Sequence, residues 1–238
     1  MRVLLIIPAY NEEANVVRVV ETVRAFAAGY KAHQIDYILI NDGSTDRTGE
    51  ICRREGYEAI HLFRNLGIGG AVQTGYQLAQ RLDYDVAVQF DGDGQHDIQS
   101  LDALLRPIAD GKANFVIGSR YLRGGSAFRS TFMRRLGSRI LAGSIRLFTG
   151  FSPSDPTSGY RAADRKAISV LARDYPVDYP EPESIIILLK HAMKLTEVSV
   201  NMFERTAGVS SISPWKSVRY MFKVTLAILC TSFRKGEK

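Results

Sequence analysis

Cysteine is scarce in this chain, and long apolar runs are missing. Two cysteines, Cys52 and Cys230, lie far apart among 238 residues. That excludes a disulfide framework and paired-cysteine zinc sites, and both are expected to be free thiols in a reducing compartment. No window offers about 18 uninterrupted apolar residues, so no transmembrane helix is expected. The opening MRVLLIIPAYNEE is too short in its apolar part for a signal peptide and has no small-residue cleavage site. It reads better as a first strand. No repeat at a fixed period and no low-complexity tract interrupts the chain, which fits one large domain or one domain with an appendage. Gly67-Ile68-Gly69-Gly70 is not a dinucleotide fingerprint, because Val72 stands where a third spaced glycine is needed. A tight strand-to-helix turn explains it better. The residues after the first strand, PAYNEE, are acidic and lack glycine. That argues against the glycine-rich, basic phosphate loop of a nucleotidyltransferase.

Acid is also missing from one stretch. Arg120 to Ser154 holds seven arginines, at 120, 123, 129, 134, 135, 139 and 146, with no Asp, Glu or Lys. The whole chain is +6 and this stretch is +7, so the rest is close to neutral. Hydrophobic content of 45% and charged content of 24% are ordinary for a globular protein.

What is present is an alternation of short apolar runs and helical patterns. Val3 to Ile7, Tyr37 to Ile40, Ala59 to Phe63, Val86 to Phe90 and Asn114 to Gly118 read as strands. Between them lie helical patterns: Val16, Val17, Val20 and Val23, a polar helix to about Glu55, a helix through Leu82 and one from Ile98 to Ala109. Such alternation predicts an α/β fold: an open, largely parallel sheet with helices on both faces. Polar clusters stand at the strand ends: Tyr10-Asn11, Asp42, Asp91 with Asp93, and Ser119-Arg120. Ligands of open α/β sheets bind beyond the carboxyl ends of the strands, so these clusters should share one polar ligand.

The central stretch is Val86 to Asp97, VAVQFDGDGQHD. An apolar strand runs into two aspartates separated by glycine. Paired carboxylates make a hard oxygen site that suits Mg2+ or Mn2+, with ligand phosphate supplying further oxygens. His96 beside them reads as a supporting or surface residue rather than a ligand. Ser44, Thr45 and Asp46 read as helix-capping residues, and Glu13 as structural.

In order, IIPAYNEE, ILINDGSTD, FDGDGQH and VIGSR resemble the family 2 glycosyltransferases of GT-A (Rossmann-like) fold. Asp155-Pro-Thr-Ser-Gly-Tyr-Arg161, Tyr179-Pro-Glu-Pro-Glu183 and Glu204-Arg-Thr-Ala-Gly-Val-Ser210 point to the dolichyl-phosphate-mannose synthase-like, polyprenyl-phosphate branch. The resemblance covers roughly residues 1–212: a nucleotide-sugar half to about 120 and an acceptor half from about 121, followed by an amphipathic C-terminal helix over 213–238. It implies that Pro8, Tyr10 and Glu12 line the base and ribose pocket and that Asp42 bonds the base. It implies that Asp91 and Asp93 hold a divalent metal on the donor pyrophosphate, with Gln95 nearby, and that Ser119 and Arg120 touch phosphate. Asp155, Ser158 and Arg161 would face the transferred sugar and acceptor, and Glu183 would be an acid near the acceptor. Arg120 and Arg161 suit the charge that builds on a leaving diphosphate, because a guanidinium fork matches phosphate oxygens. Glu181 and Glu183 could equally serve only as acids in a helix's first turn. Inversion at the anomeric carbon is implied as well.

The basic segment, with Phe132, Leu136 and Ile140 at i, i+4 and i+8 and Arg135 and Arg139 beside them, reads as a basic amphipathic helix. Arg123, Arg129, Arg135 and Arg139 are candidates for gripping a lipid phosphate. Pro214 to Phe233 is a second amphipathic candidate, fitting a membrane surface, the domain itself, a homo-oligomer or a membrane-protein partner. The expectation is a peripheral protein on the cytoplasmic face. No nucleic-acid motif accompanies the charge. The acceptor is either a polyprenyl phosphate, already anionic, or a sugar hydroxyl of a lipid-linked glycan. The hydroxyl would need Asp155 or Glu183 as base.

Overall fold

The structure is a computed structural model and describes residues 1–122, 132–203 and 214–233. Among these, seven strands form one sheet in the order β3-β2-β1-β4-β6-β5-β7. The strands are β1 Arg2–Ala9, β2 Gln34–Asn41, β3 Ala59–His61, β4 Val86–Gln89, β5 Phe115–Ser119, β6 Arg161–Asp164 and β7 Leu195–Ser199. The helices are α1 Val16–Gly29, α2 Thr48–Arg54, α3 Gly67–Arg81, α4 Leu101–Ala109, α5 Phe132–Thr149, α6 Arg165–Arg173, α7 Pro180–Lys190 and α8 Pro214–Phe233.

The apolar strands sort their side chains by the period of two that a strand imposes. In β1, Leu4 and Ile6 face one layer, and Val3, Leu5 and Ile7 face the other. The first layer gathers α3, α5, α6, α7 and α8 around Tyr76, Ile145, Leu171 and Ile185 to Leu188. The second is closed by α1 and α4 through Val19, Val23, Leu101, Leu104 and Leu105. Strands buried on both faces need apolar residues at every position, as the sequence shows.

β1, β2, β3 and β4 are mutually parallel, as expected. The far half of the sheet departs from the expectation. β5 does not pair with β4; β6 inserts between them, antiparallel to both, and β7 then pairs parallel to β5. Neither β6, Arg-Ala-Ala-Asp, nor β7, Leu-Thr-Glu-Val-Ser, carries an apolar run, so neither announced itself. On α5, Leu141 and Ile145 are buried, whereas Ile140 is about half exposed. The side chains of Phe132 and Leu136 lie outside the described set. The C-terminal helix α8 packs on α5 and α7, and its Val224 and Ile228 are fully buried in the main core.

Candidate active site

The site lies beyond the ends of β1, β2, β4 and β5. After Gln89 the chain turns through Asp91-Gly92-Asp93-Gly94. Gly92 is required by proximity, since a Cβ there would sit 2.7 Å from the Pro8 carbonyl oxygen. Asp93 Oδ1 accepts the Gln95 amide N–H at 3.0 Å, and Asp91 Oδ1 accepts from the Gln89 side-chain amide at 3.0 Å. His96 is buried and stacked on Tyr160, with centroids 4.6 Å apart. Its Nδ1 accepts the Asp91 backbone N–H at 3.0 Å, and its Nε2 lies 3.4 Å from Asp91 Oδ2. Burial pushes its pKa below the ordinary value, against the pull of Asp91 and Asp93. A neutral ring accepting at Nδ1 carries its proton on Nε2, facing Asp91. His96 therefore supports the turn.

Among the described residues, no group of three or more His, Cys, Asp or Glu side chains forms a ready metal cage. Two part-buried carboxylates at a strand end are what Mg2+ or Mn2+ uses when ligand phosphates complete its coordination. The donor set fits such an ion.

Across the edge, Arg120 is clamped by Asp155. Arg120 Nε and Nη2 donate to the two carboxylate oxygens at 2.7 and 2.8 Å, and its backbone N–H donates at 3.1 Å. Burial works against the Arg120 charge, but the bonds and charge of Asp155 outweigh it and raise its pKa. Asp155 is itself fully buried, and its backbone N–H and that of Ser154 donate to the Glu197 carboxylate of β7. Expected to face the sugar and acceptor, and to be one of two candidate bases for a hydroxyl acceptor, Asp155 holds an arginine with both oxygens. Ser119 and Ser158 are also buried. Ser119 Oγ meets Ser154 Oγ at 2.6 Å, and Ser158 Oγ donates to the Gly118 carbonyl. Both brace the loops around β5 rather than lining an open surface.

Arg161, expected to face sugar and phosphate, is fully buried. Its guanidinium donates to the carbonyls of Pro156, Ser158 and Glu181 and to Ser184 Oγ at 2.8 Å. It ties the 156–158 loop to the start of α7. Near it, the Glu181 carboxyl has its pKa raised by burial, opposed by Arg161, and it also feels the charges of Asp91 and Arg120. Glu183 points elsewhere: its carboxylate accepts from Thr231 Oγ1 of α8 at 2.6 Å. Of the two acids that open α7, Glu181 is the one that feels the charges of Asp91 and Arg120.

On the opposite side, Pro8 is buried within β1, and Tyr10 is 46% exposed at its end. The Glu12 carboxylate accepts from Asn15 Nδ2 at 2.7 Å. Asp42 is buried, and its Oδ1 accepts the Leu66 amide N–H at 2.7 Å. Burial nevertheless raises the Asp42 pKa, outweighing the bonds from Leu66 and Gly67. The Gly67–Gly70 run, expected as a tight turn leading into the helix, is itself the first turn of α3. Gly69 is pressed on the loop before α7, where a Cβ would lie 2.3 Å from the Pro176 carbonyl oxygen. Arg135 and Arg139 are exposed on α5; Arg123 and Arg129 lie outside the described residues. Sequence reasoning did not single out Gln89, Gly159 and Tyr175, which lie at or behind this turn, although Gln89 is a polar residue inside an apolar strand; Glu181 stood there only as an acid of a helix's first turn.

An α/β sheet of this order, with paired carboxylates at a strand end opposite a clamped arginine, is that of a glycosyltransferase. The chain belongs to glycosyltransferase family 2: the model described as "Glycosyl transferase family 2" matches residues 4–171. It is similar to the polyprenol monophosphomannose synthase of Mycolicibacterium smegmatis, 30% identical over 94% of this chain and 85% of that protein. It is also similar to the UDP-N-acetylglucosamine–dolichyl-phosphate N-acetylglucosaminyltransferase of Methanococcus voltae, 31% identical over 83% of this chain and 84% of that one. The undecaprenyl-phosphate mannosyltransferase of Micrococcus luteus is 30% identical over 90% of this chain and 88% of its own length. Glucosyl-3-phosphoglycerate synthase from Mycobacterium tuberculosis, solved with Mn2+, UDP and glucosyl-3-phosphoglycerate, matches with a TM-score of 0.71 and 18% identity over 97% of this chain and 79% of that one. That likeness establishes the GT-A fold.

Proposed function

We propose that the protein moves a sugar from a nucleotide-sugar donor to a polyprenyl phosphate, with inversion and with a divalent metal, at the cytoplasmic face of a membrane. The observation that carries this is the edge itself: Asp91 and Asp93 stand on the turn after β4, and Arg120, whose guanidinium Asp155 holds in place, feels the Asp91 charge. The near full-length relatives named as polyprenol-, dolichyl- and undecaprenyl-phosphate transferases support the acceptor class.

Asp91 and Asp93 present carboxylate oxygens toward the donor diphosphate, and Mg2+ or Mn2+ bound there would neutralise charge on the leaving group. Arg120, aimed by Asp155, supplies fixed positive charge to the same oxygens. Pro8, Tyr10, Glu12 and Asp42 border the nucleoside. Arg161 keeps the 156–158 loop and α7 in register, so that Glu181 meets the sugar. Both candidate bases hold protein partners, Asp155 holding Arg120 and Glu183 accepting from Thr231, which supports an acceptor that needs no base. A phosphate acceptor is already anionic and needs neither.

The membrane part of the reading rests on α5 and α8, which meet at Phe148 and Phe233. Ile140, Leu147, Phe148, Leu226, Leu229 and Phe233 are exposed there, beside exposed Arg135, Arg139, Arg146 and Lys223. Apolar and basic groups together suit an anionic lipid surface. Among the described residues, no helix is long and apolar enough to cross a membrane.

One observation favours a second reading, transfer to a sugar hydroxyl of a lipid-linked saccharide. Glu181, its pKa raised by burial, would then act as base. The test offers a panel of UDP-, GDP- and dTDP-sugars with undecaprenyl phosphate and, separately, with an undecaprenyl-linked saccharide. Sugar on the lipid phosphate is the expected result. Product on the saccharide alone, abolished by Glu181→Gln, would overturn the phosphate reading.

A further inference from the structure

Strand β4 is buried on both faces, and its last residue, Gln89, is 1% exposed. A buried amide is costly unless both its ends are bonded. Here they are. Gln89 Nε2 donates to Asp91 Oδ1 at 3.0 Å, and Gln89 Oε1 accepts from the Tyr175 hydroxyl at 3.3 Å. Tyr175, also buried, comes from the segment between α6 and α7, and its ring rests on Tyr76 with centroids 5.3 Å apart. Gly159 roofs the junction: a Cβ there would lie 2.6 Å from Asp91 Oδ2 and 3.0 Å from Gln89 Nε2. The transfer described above uses neither Gln89 nor Tyr175.

We propose that Tyr175 and Gln89 form a positioning chain that aims the Asp91 carboxylate at its metal. The proposal rests on the reading of Asp91 and Asp93 as metal ligands. A carboxylate rotates easily about its last bond, whereas Mg2+ tolerates little departure from octahedral geometry. A neutral amide donor fixes that rotation and leaves the negative charge intact. A lysine in its place would compete with the cation for the same oxygen. The Tyr175 hydroxyl sets which way the amide faces. By donating to Oε1 it turns Nε2 toward Asp91; without it, the amide can flip and set oxygen against oxygen. The chain also ties the metal turn to the loop that leads to Glu181, so sugar side and metal side share one support.

The test is Mn2+ affinity, read by the electron paramagnetic resonance signal of free Mn2+, with UDP and separately with GDP present. Wild type, Gln89→Met, Tyr175→Phe and Asp93→Ala are compared. Gln89→Met keeps the bulk and removes the donor; a loss of about 10- to 100-fold in Mn2+ affinity is expected, the range for residues that orient metal ligands. Tyr175→Phe should lose affinity in the same direction, less steeply. Nucleotide affinity in EDTA should not change in either variant. Wild-type Mn2+ affinity in a folded Gln89→Met or Tyr175→Phe protein would overturn the positioning chain while leaving the metal site standing. If Gln89→Met does not fold, Tyr175→Phe decides alone. If wild type binds no Mn2+ that Asp93→Ala abolishes, the metal reading itself falls, and this proposal with it.

Discussion

Arg120 reaches the site already paired. Its two bonds to Asp155 form a fork that a lysine cannot reproduce. Arg120→Lys should therefore keep the fold, by circular dichroism, and lose about 100-fold in kcat/KM, the range for removing one preorganised charge stabiliser. Near wild-type activity would remove Arg120 from the transfer step. Glu181 and Glu183 make a second residue-scale contrast. Glu183→Gln should retain transfer, because its carboxylate faces α8. Burial raises the Glu183 pKa, with Asp174 and Asp178 adding to it. A carboxyl with a raised folded-state pKa binds its proton more tightly when folded. Its stability contribution is then full below the ordinary carboxylate pKa and is lost as pH rises through the raised one. Melting curves of wild type and Glu183→Gln should diverge over that window, with wild type losing ground as pH rises. Parallel curves would contradict the assignment.

At the scale of elements, α8 is stitched to α7 at Thr231. Its hydroxyl donates to Glu183 and its carbonyl accepts from the Lys190 ammonium. Val224 and Ile228 meanwhile enter the main core. Ile228→Ala should lower unfolding stability by about 2–5 kcal/mol, as buried Ile-to-Ala changes do. Denaturant titration checks this, and an unchanged midpoint would mean that α8 is a loose tail. Elements are also where the sequence was most and least informative. β1, β4 and the buried end of β2 were legible because strands buried on both faces must be apolar throughout. β6 and β7 were not, because Arg161-Ala-Ala-Asp164 owes its place to partners on both sides rather than to its own pattern. The same limit hid that Glu183 of α7 turns to α8. Residues two apart on a helix point about 200° from each other, and only the packing of α7 on α8 fixes the rotation. Arg161 and Asp155 were expected at the site because the family resemblance implied it. In the fold, each spends its polar atoms on the protein.

For the whole molecule, charge and apolar exposure coincide on α5 and α8, while the remainder of the chain is near neutral. Co-sedimentation with vesicles rich in anionic lipid should be strong at low salt and weaken as salt screens the contact. Phe148→Glu should reduce it further without touching the donor side. Equal binding to neutral vesicles at every salt concentration would exclude the electrostatic part of this contact. In the proposed function, the polar edge of the sheet serves a soluble donor and this basic, apolar face a lipid acceptor.

The most direct measurement is transfer of sugar to undecaprenyl phosphate by wild type and Asp93→Ala, each with Mg2+, with Mn2+ and with EDTA. The account predicts a lipid-linked product from wild type only when metal is present, and none from Asp93→Ala under any condition. Metal-independent transfer, or full activity in Asp93→Ala, would contradict it.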